Sequence, residues 1–156
     1  MVKTILITGA TDGIGKHLAK KLASQGHHVI LHGRNPQKLE LALQEVRAVS
    51  LRGRVSSYLA DFSKLDDVYR FVEEIKRDFQ SIDVLFNNAG LYGGKERKVS
   101  TENVELTFML SVLIPYMLTT ELSPLLEKAP DGRIINTSSY MHHFAKVKDL
   151  DFGFEN

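Results

Sequence analysis

The run Thr8-Gly9-Ala10-Thr11-Asp12-Gly13-Ile14-Gly15 has the residue types and spacing to hold a phosphate. Its three glycines, in the order Gly-x-x-x-Gly-x-Gly, let the backbone approach an anion closely. A helix starting near Ile14 would add unpaired N–H groups and the positive end of its dipole. An apolar run, Thr4-Ile5-Leu6-Ile7, leads into the glycines, and Ile14, Leu18 and Leu22 recur behind them at helical spacing. A strand feeding a helix through such a turn is how dinucleotide sites seat a pyrophosphate. A glycine turn between strand and helix can also be purely structural. The weight therefore rests on what else the chain brings alongside it.

The elements that must position this turn alternate between strand and helix. Strands are expected at Thr4–Thr8, His28–His32, Val55–Leu59, Asp83–Phe86 and Arg133–Thr137. Helices are expected from about Ile14 to Gln25, after the cap and proline Asn35-Pro36, after a Ser63 cap, and from about Thr101 to Lys128. Gly26 is the expected stop of the first helix. Pro115 should kink the last helix or break its hydrogen bonding locally. The alternation predicts an α/β domain spanning residues 1–156, a Rossmann-type doubly wound parallel sheet of about five strands. Ligands in such sheets sit beyond the carboxyl ends of the strands. Gly9–Gly15, Gly33-Arg34, Asp61-Phe62, Asn87–Gly90 and Ser138-Ser139 all lie at such ends.

The glycine run, Asp61-Phe62, Asn87-Asn88-Ala89-Gly90 and Ile134-Ile135-Asn136-Thr137-Ser138-Ser139 together resemble the short-chain dehydrogenase/reductase family, in its order and on its elements. The resemblance covers essentially the whole chain. It implies a nicotinamide cofactor and hydride transfer to or from an alcohol/carbonyl pair. It places the cofactor against Thr8, Gly9, Thr11, Asp12, Gly13, Ile14 and Gly15. It also implies that the Asp61 side chain meets the adenine amino group, with the Phe62 backbone alongside. Asn88, Ala89 and Gly90 would border the adenosine ribose, or serve structurally by satisfying backbone groups of neighbouring loops. Asp61 reads equally well as a turn former. Ser139 matches the serine that hydrogen-bonds the reacting carbonyl oxygen, and Ser138 the preceding structural serine.

The cofactor expected is NADP(H), with NAD(H) less favoured. An NAD site places a carboxylate at the end of the second strand to bind the ribose 2′-OH. Here that position reads His32-Gly33-Arg34-Asn35, with no acid. A guanidinium binds a 2′-phosphate through two charge-assisted hydrogen bonds. Asp12 counts mildly against this, because NADP-using family members often carry a basic residue there.

The family's proton donor is a tyrosine in a Tyr-x-x-x-Lys motif, both side chains on one helical face. Tyr58, Tyr69, Tyr92, Tyr116 and Tyr140 are followed four residues later by Phe62, Glu73, Glu96, Thr120 and Phe144. None fits. The commonest family spacing from Ser139 falls on Phe152 and Asn156, which cannot replace the pair. The stretch Tyr140–Glu155 looks more like the insertion carried by retinol-dehydrogenase-like branches. The position that matches the family's relay asparagine is Ser111. The expectation is an oxidoreductase chain truncated or split before its acid/base pair. The rival readings are a non-catalytic dinucleotide-binding module with a sensing or partner-binding role, and an enzyme assembled from two chains.

Bulk composition narrows the partners. The 20 basic and 19 acidic residues give a formal charge of +1, with no basic block, so nucleic acid is not expected. The absence of cysteine rules out disulfides and thiolate metal sites, and suits a cytoplasmic protein. His142 and His143 are adjacent, and the sequence puts no acidic residue or cysteine at ligand spacing from them, so zinc is not expected. The zone from Phe108 to Leu118 is broken by Ser111 and Pro115, so no membrane association is expected. A first strand beginning at Thr4 leaves no room for a signal peptide. An open edge at the fifth strand predicts a homo-oligomer.

Overall fold

The computed structural model describes residues 1–91, 96–140 and 143. Five strands, β1 (Thr4–Ile7), β2 (His28–Gly33), β3 (Val55–Leu59), β4 (Val84–Asn87) and β5 (Arg133–Asn136), form one sheet in the order β3-β2-β1-β4-β5. Every pairing is parallel. The crossovers run through α1 (Gly13–Ser24), α2 (Pro36–Val49), α3 (Leu65–Asp78) and a long helix, α4 (Leu106–Leu126). Chain order reverses between β1 and β4, which makes that junction the switch point where open α/β sheets bind ligands.

Alternation along the strands divides the core into two layers. Leu6, Ile30 and Leu85 pack against Val68, Phe71 and Ile75 of α3 and Ile114, Leu118 and Leu122 of α4. Ile5, Ile7, Val29 and Leu31 pack on the other face against Ala19 and Ala23 of α1 and Leu39, Leu43 and Val46 of α2. The helix Leu106–Leu126 is apolar and long enough to cross a membrane by length and composition, yet its inner face is built into this core.

Local chemistry explains most boundaries. Asn35 caps α2, its Oδ1 accepting from the Lys38 N–H at 2.9 Å, with Pro36 at the first helical position. Gly26 follows α1 with φ +86°, a left-handed stop that glycine adopts without strain.

Three expectations change. The face that α1 lays on the sheet is Gly15, Ala19 and Ala23, whereas Ile14 is exposed and Leu18 and Leu22 are only half-buried. Small residues at spacing four let the helix axis approach the sheet, and this close approach rotates the leucines to the margin. Ser63 does not cap α3. Its hydroxyl and amide both donate to Asp61 Oδ1, at 2.8 and 3.1 Å, while Glu102 Oε1 accepts from the Leu65 N–H at 3.1 Å. A carboxylate 37 residues distant therefore satisfies the first turn. The long helix starts at Leu106, not Thr101. Ser100 Oγ accepts from the Glu102 and Val104 amides, and Asn103 turns the chain at φ +59°. Glu105 then caps the helix, its Oε2 2.7 Å from the Phe108 amide.

The effect of Pro115 is now specific. It has no N–H to give the Ser111 carbonyl, and its ring crowds that position. The backbone answers with a π-helical stretch, Met109–Leu113, closed by Ile114 N–H donating to the Met109 carbonyl. Such widened turns recur at functional sites, and this one carries Ser111.

Candidate functional site

A cleft of about 1210 Å³ opens beyond the carboxyl ends of the strands. Its lining joins Gly9, Thr11, Asp12, Gly13 and Ile14 to Gly33, Arg34 and Asn35, to Asp61 and Phe62, to Asn88, Ala89 and Gly90, and to Ser111, Ser138 and Ser139. Nearly every residue singled out from sequence thus lies on one wall or another. Thr8 and Gly15 stand behind the lining. Thr8 is buried, and a Cβ built on Gly15 would meet the Gly9 carbonyl oxygen at 2.4 Å. Glycine at 15 is therefore required by close packing of α1 on the loop. His142, together with Phe152 and Asn156, lies outside the described residues.

The loops are latched across the switch point by three side chains. Thr8 Oγ1 accepts from the Asn88 and Ala89 amides, each at 2.9 Å, and donates to the Phe86 carbonyl at 3.4 Å. Asn88 Nδ2 donates back to the Thr8 and Gly9 carbonyls at 2.9 and 3.2 Å. Thr137 Oγ1 donates to Asn88 Oδ1 at 3.4 Å, which brings the β5 end into the same lattice. Replacing Thr8 with valine keeps its shape and strands two part-buried amides. Thr8→Val is expected to cost about 1–3 kcal/mol, read from the urea midpoint. An unchanged midpoint would show that Thr8 is not the latch.

The phosphate end of the cleft is also built from local chemistry. Asp12 is the N-cap of α1, its Oδ1 accepting from the Gly13 N–H at 2.8 Å. That leaves the amides of Ile14 and Gly15 without intrahelical acceptors, as at any helix start. Asp12 Oδ2 lies 3.8 Å from Lys38 Nζ, so its negative charge has a cation beside it. Gly13 has φ +51° and nothing within 4 Å of a Cβ built on it. Arg34 is exposed at the end of β2 and forms no ion pair with the described residues. Asp61 forms the turn that sequence allowed for, through Ser63; it also lines the cleft.

A dinucleotide suits this residue set on two observations. The cleft is open at Gly13, beside the start of α1, where a phosphate would find unpaired amides. On the facing wall Asn87 Oδ1 is buried with no hydrogen-bond partner among the described residues, an acceptor that a ligand hydroxyl or amide could match.

Sequence reasoning gave no site role to His32, Lys38, Asn136 or Pro115, all of which line the cleft. Lys38 had a usable signal, since the Asn35 cap puts it in the first turn of α2 beside Arg34. His32 had none, because a histidine inside a strand does not announce which loop it will touch.

Fold and cleft define a Rossmann-type α/β protein with a candidate ligand site at the switch point of a parallel sheet. The chain belongs to the short chain dehydrogenase family, whose model matches residues 3–147. It is 33% identical over 153 residues to retinol dehydrogenase 13 of Mus musculus, covering 98% of this chain and 46% of that protein. It is 36% identical to the dehydrogenase/reductase SDR family member FEY of Arabidopsis thaliana, covering 95% of this chain and 41% of that one. The chain spans less than half the length of these curated relatives. Among solved structures, a metagenomic short-chain oxidoreductase in complex with NADP aligns with a TM-score of 0.75 at 30% identity, covering 88% of this chain and 61% of the other. L-sorbose reductase from Gluconobacter frateurii, complexed with NADPH and L-sorbose, aligns with a TM-score of 0.79 at 26% identity, covering 97% and 56%.

Proposed function

We propose that these residues are the cofactor-binding part of an NADP(H)-dependent oxidoreductase acting on an alcohol/carbonyl pair, with its tyrosine and lysine supplied from outside the 156 residues. The observation that carries the reading is the single cleft that joins the glycine turn, Arg34 and Ser139. The bound nicotinamide would supply the hydride. Gly9–Gly15 would receive the pyrophosphate on backbone amides, and Arg34 and Lys38 would meet the 2′-phosphate as the two cations at the β2 end of the cleft. Asp61 and Phe62 would hold the adenine. Asn88, Ala89 and Gly90 would border its ribose. Ser139 would donate a hydrogen bond to the carbonyl oxygen, and Ser111, on its widened turn, would hold a water near the same wall.

Neighbours solved with NADP or NADPH support the choice of cofactor. The exposed side of β5, with Ile134 and Ile135 each 40% accessible, supports self-association as part of the reading. A non-catalytic dinucleotide-binding module is the second reading, favoured by the absence of any Tyr-x-x-x-Lys in these residues.

Cofactor preference tests the proposal. NADPH is expected to bind more tightly than NADH, and Arg34→Ala should erase most of the difference. Charge-assisted phosphate contacts are worth about 1.5–3 kcal/mol, so the preference should be about tenfold or more. Fluorescence titration of both cofactors reads it. Equal affinities in the unaltered chain would overturn the assignment of NADP(H).

A further inference from the structure

His32 is buried at the end of β2, and both of its ring nitrogens are engaged. Nδ1 lies 3.2 Å from the Gly9 N–H, and Nε2 lies 3.0 Å from the Ala60 carbonyl oxygen. The chemistry of these partners assigns the tautomer. An amide can only donate, so Nδ1 is bare; a carbonyl can only accept, so Nε2 carries the proton. The ring stacks on Phe62 with centroids 3.8 Å apart and planes 8° apart, and Phe71 meets it edge-on at 5.2 Å. The His32 carbonyl also accepts from the Ala10 amide at 2.8 Å.

One residue therefore bonds twice to the glycine turn and once to the chain entering Asp61-Phe62, the two walls between which the adenosine half of a dinucleotide would lie. We propose that His32 is a positioning residue for the dinucleotide: its neutral ring fixes the spacing between the glycine turn and the Ala60–Phe62 wall, and the Gly9 bond is the end that sets cofactor affinity. This rests on the proposal that the cleft takes NADP(H). Burial holds the imidazole down at about 4, well below its ordinary range, against the Ala60 hydrogen bond and the Asp61 carboxylate, which both favour the proton. The ring stays a neutral acceptor for Gly9 at physiological pH. No charged group of α3 acts on it; the helix presents Phe71.

Two amide variants separate the two ends. His32→Asn places an oxygen near the Nδ1 position and keeps an acceptor for Gly9. His32→Gln places an N–H near the Nε2 position, keeps a donor for Ala60 and leaves the Gly9 amide unmatched. Both lose the stacking on Phe62 alike. NADPH titrated into the full 156-residue chain at neutral pH is expected to bind His32→Asn within about threefold of the unaltered chain and His32→Gln about tenfold or more weakly. Their thermal midpoints should lie close together, since each loses one ring and one hydrogen bond. Equal NADPH affinities for the two variants, with the unaltered chain binding well, would overturn the positioning role while leaving the cofactor reading intact. Nitrogen-15 NMR of the ligand-free chain checks the strut without any cofactor. A bare Nδ1 and protonated Nε2 are expected, with a Gly9 amide resonance that moves in His32→Gln and holds in His32→Asn. A ring protonated at Nδ1 would refute it. If the unaltered chain binds no NADPH, the cofactor reading fails and the NMR result alone decides the strut.

Discussion

The purified 156-residue chain, given NADPH and a broad panel of aldehydes and ketones, is expected to show no appreciable oxidation of the cofactor. A carbonyl that accepts hydride must also receive a proton, and the described tyrosines are badly placed to give one. None of Tyr58, Tyr69, Tyr116 and Tyr140 lines the cleft. The Tyr58 hydroxyl donates to Asp78 Oδ2 at 2.8 Å, at the C-terminal end of α3. Burial and then the Asp78 carboxylate raise its pKa, the opposite of what a proton donor needs. Tyr69 and Tyr116 are exposed on helix surfaces, and Tyr140 sits against the His143 ring at 4.8 Å. Tyr92 lies outside the described residues. A missing general acid costs about 100- to 10,000-fold in rate, so Ser139 and the cleft alone should leave at most residual turnover. A spectrophotometric assay of reduced-nicotinamide absorbance follows the reaction. Activity that appears on adding a polypeptide carrying Tyr-x-x-x-Lys would establish a two-chain enzyme, whereas robust turnover by this chain alone would refute the argument.

The second large effect separates two glycines that look equivalent in sequence. Gly13→Asn should abolish measurable NADPH binding and leave the fold intact. Asparagine tolerates the left-handed backbone found there, and its side chain would enter space that no protein atom occupies within 4 Å of the built Cβ. Gly15→Ala should act on the fold instead. Its methyl group would lie 2.4 Å from the Gly9 carbonyl oxygen and 2.6 Å from Asn88 Nδ2, and neither partner can withdraw without breaking the latch at Thr8. Overpacking against backbone costs about 1–3 kcal/mol or more, visible as a lowered urea midpoint. Circular dichroism and cofactor titration on both variants decide the matter. Intact binding in Gly13→Asn would move the phosphates elsewhere.

What could be read directly from the chain was everything set by near neighbours. The five strands came from short apolar runs, and their parallel pairing from the helices between them. The Asn35-Pro36 start of α2 and the Gly26 stop of α1 depend only on local backbone chemistry, and both occur where the residues indicate. The glycine turn was legible for the same reason, and so was the gathering of motifs at the carboxyl ends, which follows from parallel topology alone.

What tertiary structure decided was which polar groups meet across strands. Ser63 had the composition of a cap, but Asp61 claimed it and Glu102 served α3 from another part of the chain. Ile14, Leu18 and Leu22 had the period of a buried stripe, yet the tight seat of α1 needed Gly15, Ala19 and Ala23 on the sheet. Pro115 promised a disturbance, and only the packed helix turned it into a π-helical stretch that brings Ser111 to the cleft. His32 was indistinguishable from any strand residue until β1 and β3 closed on either side of β2. Hydrophobic period and turn preference are properties of a few consecutive residues and survive reading in one dimension. A hydrogen bond between Gly9 and His32 depends on the register of neighbouring strands, which no local stretch encodes.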